Sequence, residues 1–303
     1  MSGFAPENIQ VLHLELTTRC NAACPQCSRT NPHTNFTVDS ELTLAQVQEL
    51  FSVEFVQGLE KVFACGDFGD PAVAKECIPI LQWFRSINPQ LTLGMHSNGG
   101  IRNRAFWHEL GTMFTGIKDY VVFSIDGLED TNHIYRKNVV WSRVMENAAA
   151  FIAAGGRAHW DMLAFEHNEH QVDACRQLAK DMGFVWFRCK VSSRFSTMPV
   201  AFLSPPKSFA PTPSTPGPVK CQALEEKSLY LAATGRIMPC CFIGNDIYTL
   251  DAATDQLLSE PNFVTLEAML STEPHRLCQK HCTTYSSVSK LKQQFREETP
   301  LNG

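Results

Sequence analysis

Three thiols fall within CNAACPQC, at Cys20, Cys24 and Cys27, with three residues between the first two and two between the last two. A tight loop can turn such thiols toward one point, where thiolates hold zinc or an iron-sulfur cluster. No fourth cysteine or histidine within the segment closes the set. A structural zinc site normally takes all four ligands from protein, so three thiols leave a position that a small chelating molecule can fill.

An alternation of strand and helix signals positions this loop. VLHLEL (11 to 16) is rich in branched and apolar residues and reads as a strand delivering the thiols. A helix follows, with Thr43 as a cap and Leu44, Val47, Leu50, Phe51, Phe55 and Val56 near helical period. Further strands are expected at 61 to 65, 91 to 95, 120 to 125, 157 to 163 and 184 to 189, and helices at 72 to 84, 102 to 114, 141 to 155 and 169 to 183. Six strands separated by helices make a parallel α/β sheet the economical reading; periodicity leaves open whether it lies flat or curves into a partial barrel. In such sheets the loops after the strands gather at one face. CNAACPQC, GDFGDP (66 to 71), HSNGG (96 to 100) and Asp126-Gly127 are therefore expected to converge.

The pattern changes near residue 195. Residues 196–219 are dense in proline, serine and threonine and read as an extended connection between a core domain, 1–195, and a small cysteine-rich unit, 220–303. That unit begins with an expected hairpin over 228 to 244 that turns at Thr234-Gly235, and continues with helical stretches around 267 to 271 and 287 to 298. It has little obvious core, so a metal centre would supply part of its folding energy.

Charge and compartment limit the partners. The net charge of -5 supplies no broad positive field and argues against a nucleic-acid partner, and the mixed charges of KLKQQFREE read as a solvated face. The N-terminus lacks the basic start and apolar run of a signal peptide and no segment has membrane-span length, so a cytoplasmic location is expected, with no membrane partner. Disulfides do not persist there, and the 12 cysteines divide between ligands and buried thiols. Cys65, Cys77, Cys175 and Cys189 sit singly in strand or helix patterns and read as packing residues.

The CNAACPQC spacing, placed after a first strand, resembles the signature of the radical S-adenosylmethionine (SAM) superfamily. The resemblance covers roughly residues 10 to 190 and implies a partial (β/α)6 barrel in which Cys20, Cys24 and Cys27 hold a [4Fe-4S] cluster whose open iron is chelated by SAM. It also implies reductive cleavage of SAM to a 5′-deoxyadenosyl radical, with the electron coming from an external donor. GDFGDP resembles the family's glycine and acidic motif, which carries over Gly66, Asp67 and Gly69, with Asp70 a further candidate, as contacts to the SAM amine. Ser97 and Asn98 resemble the third-strand polar pair, and in FSIDGLEDTNHIYR Ser124, Asp126 and Arg136 are carried over as cofactor-binding residues, Ser124 and Arg136 approaching the carboxylate or ribose. Gln26 departs from the family, which often has an aromatic residue there against adenine.

Cys221, Gly235, Cys240, Cys278 and Cys282 resemble the shortened auxiliary-cluster unit called the twitch domain, related to the larger SPASM domain. The resemblance implies an auxiliary [4Fe-4S] cluster on the four cysteines, Cys240 being preferred to Cys241 for its offset from Gly235. Members of these subgroups act on peptides and on small molecules. A ribosomally made peptide is the expected substrate, with splicease-like carbon-carbon rearrangement as one outcome and a small peptide-recognition protein as a partner. The alternatives are dehydrogenation of a sugar or aminocyclitol, and a non-enzymatic iron-sulfur scaffold. In HWDMLAFEHNEH, Asp161, Glu166 and His167 read as pocket-lining residues, and neither their spacing nor their direction specifies a separate metal shell.

Overall fold

The structure, a computed structural model, describes residues 5–31, 38–208, 219–243 and 299–301, with Cys278 and Cys282. The expected helical stretches at 267 to 271 and 287 to 298, and most of the proline-rich segment's second half, lie outside the described residues.

Six parallel strands lie side by side in chain order: β1 (Val11–Leu14), β2 (Lys61–Ala64), β3 (Thr92–Ser97), β4 (Tyr120–Ser124), β5 (Ala158–Ala164) and β6 (Trp186–Val191). The connections carry α1 (Leu44–Leu50), α2 (Val53–Gly58), α3 (Cys77–Ile87), α4 (Arg104–Met113), α5 (Glu129–Tyr135), α6 (Trp141–Ala153) and α7 (Val172–Met182). Sequential parallel order with helical crossovers is the arrangement of a partial (β/α) barrel, because each crossover covers the sheet face it spans. No described helix is long and apolar enough to cross a membrane.

The helix expected over 43 to 56 is two helices. Thr43 and Gln46 form a reciprocal capping box that starts α1, and the chain turns extended at Phe51 before the Ser52 hydroxyl accepts from Phe55 N–H and starts α2. Periodicity ran through the break because both helices turn apolar residues, Val47 and Val56 among them, toward the same core.

The hairpin forms where expected, and its placement adds to the sheet. β7 (Ser228–Leu231) pairs parallel with β1, and β8 (Ile237–Met238) pairs antiparallel with β7 through a turn in which Gly235 has φ +83. At the other edge β9 (Thr299–Pro300) pairs antiparallel with β6, giving a sheet of nine strands among the described residues. Part of the proline-rich segment also packs on the main body: Leu203 is buried, and Glu166 N–H donates to the Ser204 carbonyl.

One face of the sheet carries a row of rings across strand boundaries. His13 of β1 stacks on Phe63 of β2 at 4.3 Å between centroids and meets Tyr230 of β7 edge-on at 4.8 Å. Gly94 leaves room for the Tyr120 ring, which would lie 2.6 Å from a Cβ at that position.

Candidate functional site

A cleft of about 430 Å³ opens on this face at the C-terminal ends of the strands. That volume lies in the usual range for small-molecule sites. Its wall includes Cys20, Cys24 and Cys27, the loop residues Gly66, Asp67, Gly69 and Asp70, Ser97 and Asn98, and Ser124 and Arg136. Three of the four expected loops thus meet, and the fourth region reaches the cleft through Ser124 and Arg136 rather than through Asp126-Gly127.

Hydrogen bonds fix how they meet. Asp70 is 4% exposed, and its carboxylate accepts from Ser97 Oγ (2.8 Å), Asn98 N–H (2.8 Å), Asn98 Nδ2 (2.6 Å) and Ala72 N–H (3.0 Å). Asp70 thereby clamps the second and third strand ends together, and Asp67 is the more solvent-facing acid of the loop. Burial nevertheless pushes the Asp70 carboxyl upward, these donors opposing the shift. Asn98 reaches on to the thiol loop, donating to Asn21 Oδ1 at 2.9 Å with Cys20 Sγ at 3.7 Å.

Glycine serves close backbone approach in GDFGDP. A Cβ on Gly69 would lie 1.7 Å from the Thr17 carbonyl oxygen, and one on Gly66 would lie 2.3 Å from that of Gly69. The loop rests directly on the segment leading into Cys20. Glu15, fully buried, completes the support: its carboxylate accepts from Phe68 N–H at 2.8 Å and from the Tyr230 hydroxyl at 2.6 Å. Sequence reasoning missed Glu15, although a carboxylate closing an apolar strand was a signal for a buried acceptor.

Asp126 stands behind the cleft rather than in its wall. Fully buried, it accepts from Arg136 Nε at 2.6 Å and Leu163 N–H at 2.6 Å, so it aims Arg136, whose Nη1 lies 3.7 Å from Cys24 Sγ. Gln26 is also turned inward. Its amide donates to the Met198 carbonyl and accepts from Ser192 Oγ, tying the thiol loop to the chain after β6.

Burial pushes the Cys20 thiol up to about 12, Asp70 adding to the shift, and raises Cys24, where Arg136 opposes it. Metal binding must therefore displace protons from both. Among the described residues no three histidine, cysteine or acidic side chains are grouped to hold a single metal ion. A polynuclear cluster spreads its ligands over several iron atoms and does not ask three thiols to meet at one point. Three soft donors around a cleft, with Asn98 and Arg136 donors beside two of the sulfurs, fit such a cluster.

The second cysteine group lines a neighbouring cavity. Cys221, Cys240, Cys278 and Cys282 all face it, with Tyr230 and Ile243 in its wall. Burial pushes Cys240 up to about 12, and Cys221 and Cys282 are close enough to add to the shift. Cys241 differs: it lines both cavities, and after burial its largest influences are Asp67, Cys240 and Cys65. His13, Phe63, Gln222 and Phe242 complete the shared wall.

Of the single cysteines, Cys77 and Cys175 are fully buried, as expected for packing, whereas Cys65 lines the main cleft and Cys189 is half-buried. Asp161 lines the cleft as well, whereas Glu166 and His167 are outside its wall, and Glu166 pairs with Lys207 at 3.0 Å.

No family model matches this sequence, and no curated protein matches it. Solved structures do match in fold. Streptococcus suis SuiB bound to the precursor peptide SuiA is 12% identical, with 85% of this chain and 70% of that chain covered at a TM-score of 0.59. Histidine-tagged anSMEcpe with bound AdoMet is 14% identical, with 95% of this chain and 92% of that chain covered at 0.60. AnSMEcpe with AdoMet and the Cp18Cys peptide is 13% identical, with 95% of each chain covered at 0.54. These are radical SAM superfamily enzymes, and this chain has their fold.

Proposed function

We propose that this protein is a radical SAM enzyme acting on a ribosomally made peptide. The observation that carries the reading is the convergence of the CNAACPQC thiols with GDFGDP, Asn98, Ser124 and Arg136 around one cleft. Cys20, Cys24 and Cys27 would hold a [4Fe-4S] cluster; with SAM bound, it supplies a 5′-deoxyadenosyl radical that takes hydrogen from substrate. Gly66, Asp67 and Gly69 bind the amine of SAM, and Ser124 and Arg136 its carboxylate or ribose. Asp70, Ser97 and Asn98 brace these loops, and Asp126 positions Arg136.

Cys221, Cys240, Cys278 and Cys282 would hold an auxiliary [4Fe-4S] cluster in a twitch-like unit over 220–303, after a core over 1–195. The neighbours of Cys240 and Cys241 support Cys240 as the ligand. The peptide lean draws support from two neighbours in fold whose structures contain peptides. A cytoplasmic setting, an external electron donor and a small peptide-recognition partner belong to the same reading, as does splicease-like rearrangement as an outcome. A second reading, dehydrogenation of a sugar or aminocyclitol, draws support from the wall the two cavities share, since an auxiliary cluster held by the second cysteine group would be an electron acceptor beside the substrate.

The test is deuterium transfer. A precursor peptide encoded beside this gene, deuterated at its modified carbon, should deliver deuterium into 5′-deoxyadenosine. Transfer from a labelled aminocyclitol, with none from the peptide, would replace the first reading by the second.

A further inference from the structure

The thiol loop carries a cation that neither the cleft nor an acid engages. Arg29 follows Cys27 by two residues, and its Nη2 donates to the Ala22 carbonyl, back across the loop. The Ala22 N–H in turn lies 3.4 Å from Cys20 Sγ. Arg29 is half-buried, and its Nε is fully buried with no acceptor among the described residues. A buried donor of this kind calls for an acceptor from outside the chain, water or a bound group. Arg29 is not in the wall of the cleft, so it meets neither SAM nor substrate there.

The other charges around the loop have partners. Arg19 pairs with Asp39 at 2.5 Å and with Glu41 at 3.5 Å, Arg136 pairs with Asp126 at 2.6 Å, and Arg194 donates to the Gln26 carbonyl at 2.7 Å. Asp70 is the acid that acts on Cys20, and its carboxylate accepts from Ser97, Asn98 and Ala72. Arg29 forms no ion pair among the described residues, yet it is close enough to Cys20 to oppose Asp70 there.

We infer that Arg29 tunes the reduction potential of the cluster held by Cys20, Cys24 and Cys27, its positive charge favouring the reduced form. This rests on the proposed function for the statement that these thiols hold a cluster. The potential of an iron-sulfur centre follows the charge around it and the donors near its sulfurs. An electron taken up makes the centre more negative, so a cation beside it eases reduction, the more so where water is excluded. The sign does not depend on the net charge of the loop: removing one positive charge moves the potential downward whatever else surrounds it. Arg29 thereby lets the external donor load the cluster at a less negative potential.

The experiment is a redox titration of the full chain, reconstituted anaerobically and read by electron paramagnetic resonance, the reduced signal that changes on adding SAM being that of the first cysteine group. Arg29→Gln should move the midpoint of that signal to a more negative potential, so that the fraction reduced at the wild-type midpoint falls severalfold, while the signal indifferent to SAM keeps its midpoint. Arg29→Lys, which keeps the charge, should stay close to wild type. An unmoved midpoint in Arg29→Gln, or an equal shift in Arg29→Lys, would overturn the inference. If Arg29→Gln assembles no cluster, Arg29→Lys decides: assembly with the wild-type midpoint supports the inference, and any other result overturns it. Wild-type protein with no SAM-responsive signal would sink the proposed function, and the inference with it.

Discussion

The two cysteine groups face cavities that share a wall, yet the chain holds them in opposite ways. The first loop is held by polar groups from across the fold: Asn98 on Asn21, Gln26 on Ser192 and Met198, Arg29 on the Ala22 carbonyl, and Ala23 N–H on the Lys137 carbonyl. The second sits against an apolar cluster of Tyr230, Ala232, Met238 and Ile243 with Cys278 among them. The first site is therefore shaped before anything binds. The second, of which Cys221 and Cys240 also pack on the main core, is held by apolar contact rather than by directed hydrogen bonds and depends more on what its thiols grip.

The largest expected effect breaks the first site from its backbone. Gly69→Ala puts a Cβ against the Thr17 carbonyl, which cannot yield without moving the thiol loop, so SAM binding should fall to background in equilibrium dialysis. Retained binding would mean the loop is more pliant than its packing.

Chelation separates the two regions next. Stripping iron should raise amide hydrogen exchange sharply across 219–243 and leave β2 to β5 protected. Equal loss in both would erase the contrast.

A smaller effect comes from the buried ion pair. Asp126→Asn removes the charge that offsets Arg136, and breaking one partner of a buried pair costs about 3–5 kcal/mol. The urea midpoint should drop accordingly, with the slope unchanged.

The mildest test is pH. Burial pushes His13 down to about 4, and His96 and His159 to about 3, from 6.5. Above pH 6.5 neither folded nor unfolded chain protonates them. Between 6.5 and 4 the unfolded chain takes up protons that the folded chain refuses, so stability should fall with falling pH across that window. His13→Gln should flatten the slope, and an unchanged slope would assign it elsewhere.

Much of this was legible in the residues. The Thr43 cap, the strand and helix alternation and the meeting of the post-strand loops follow from local pattern, because each needs only side-chain period or turn chemistry. What escaped was long-range pairing. Nothing in SLYL says that it lies parallel to VLHL, and the Glu15–Tyr230 bond that joins them spans 215 positions. Asp126 reads as a contact until its partner is known, and Cys65 reads as packing until β2 is seen to end at the cleft. Of the neighbouring Cys240 and Cys241, only Cys241 also reaches the main cleft, a difference set by local chain direction that composition does not encode.

The central claim is that the first cysteine group, and not the second, supports SAM cleavage. Dithionite-reduced, anaerobically reconstituted protein should be incubated with SAM, and 5′-deoxyadenosine measured by chromatography for wild type, for Cys20→Ala/Cys24→Ala/Cys27→Ala and for Cys221→Ala/Cys240→Ala. Product from the wild type and the second variant, with none from the first, is the expected result. Product from the variant lacking Cys20, Cys24 and Cys27, or none from the wild type, would contradict it.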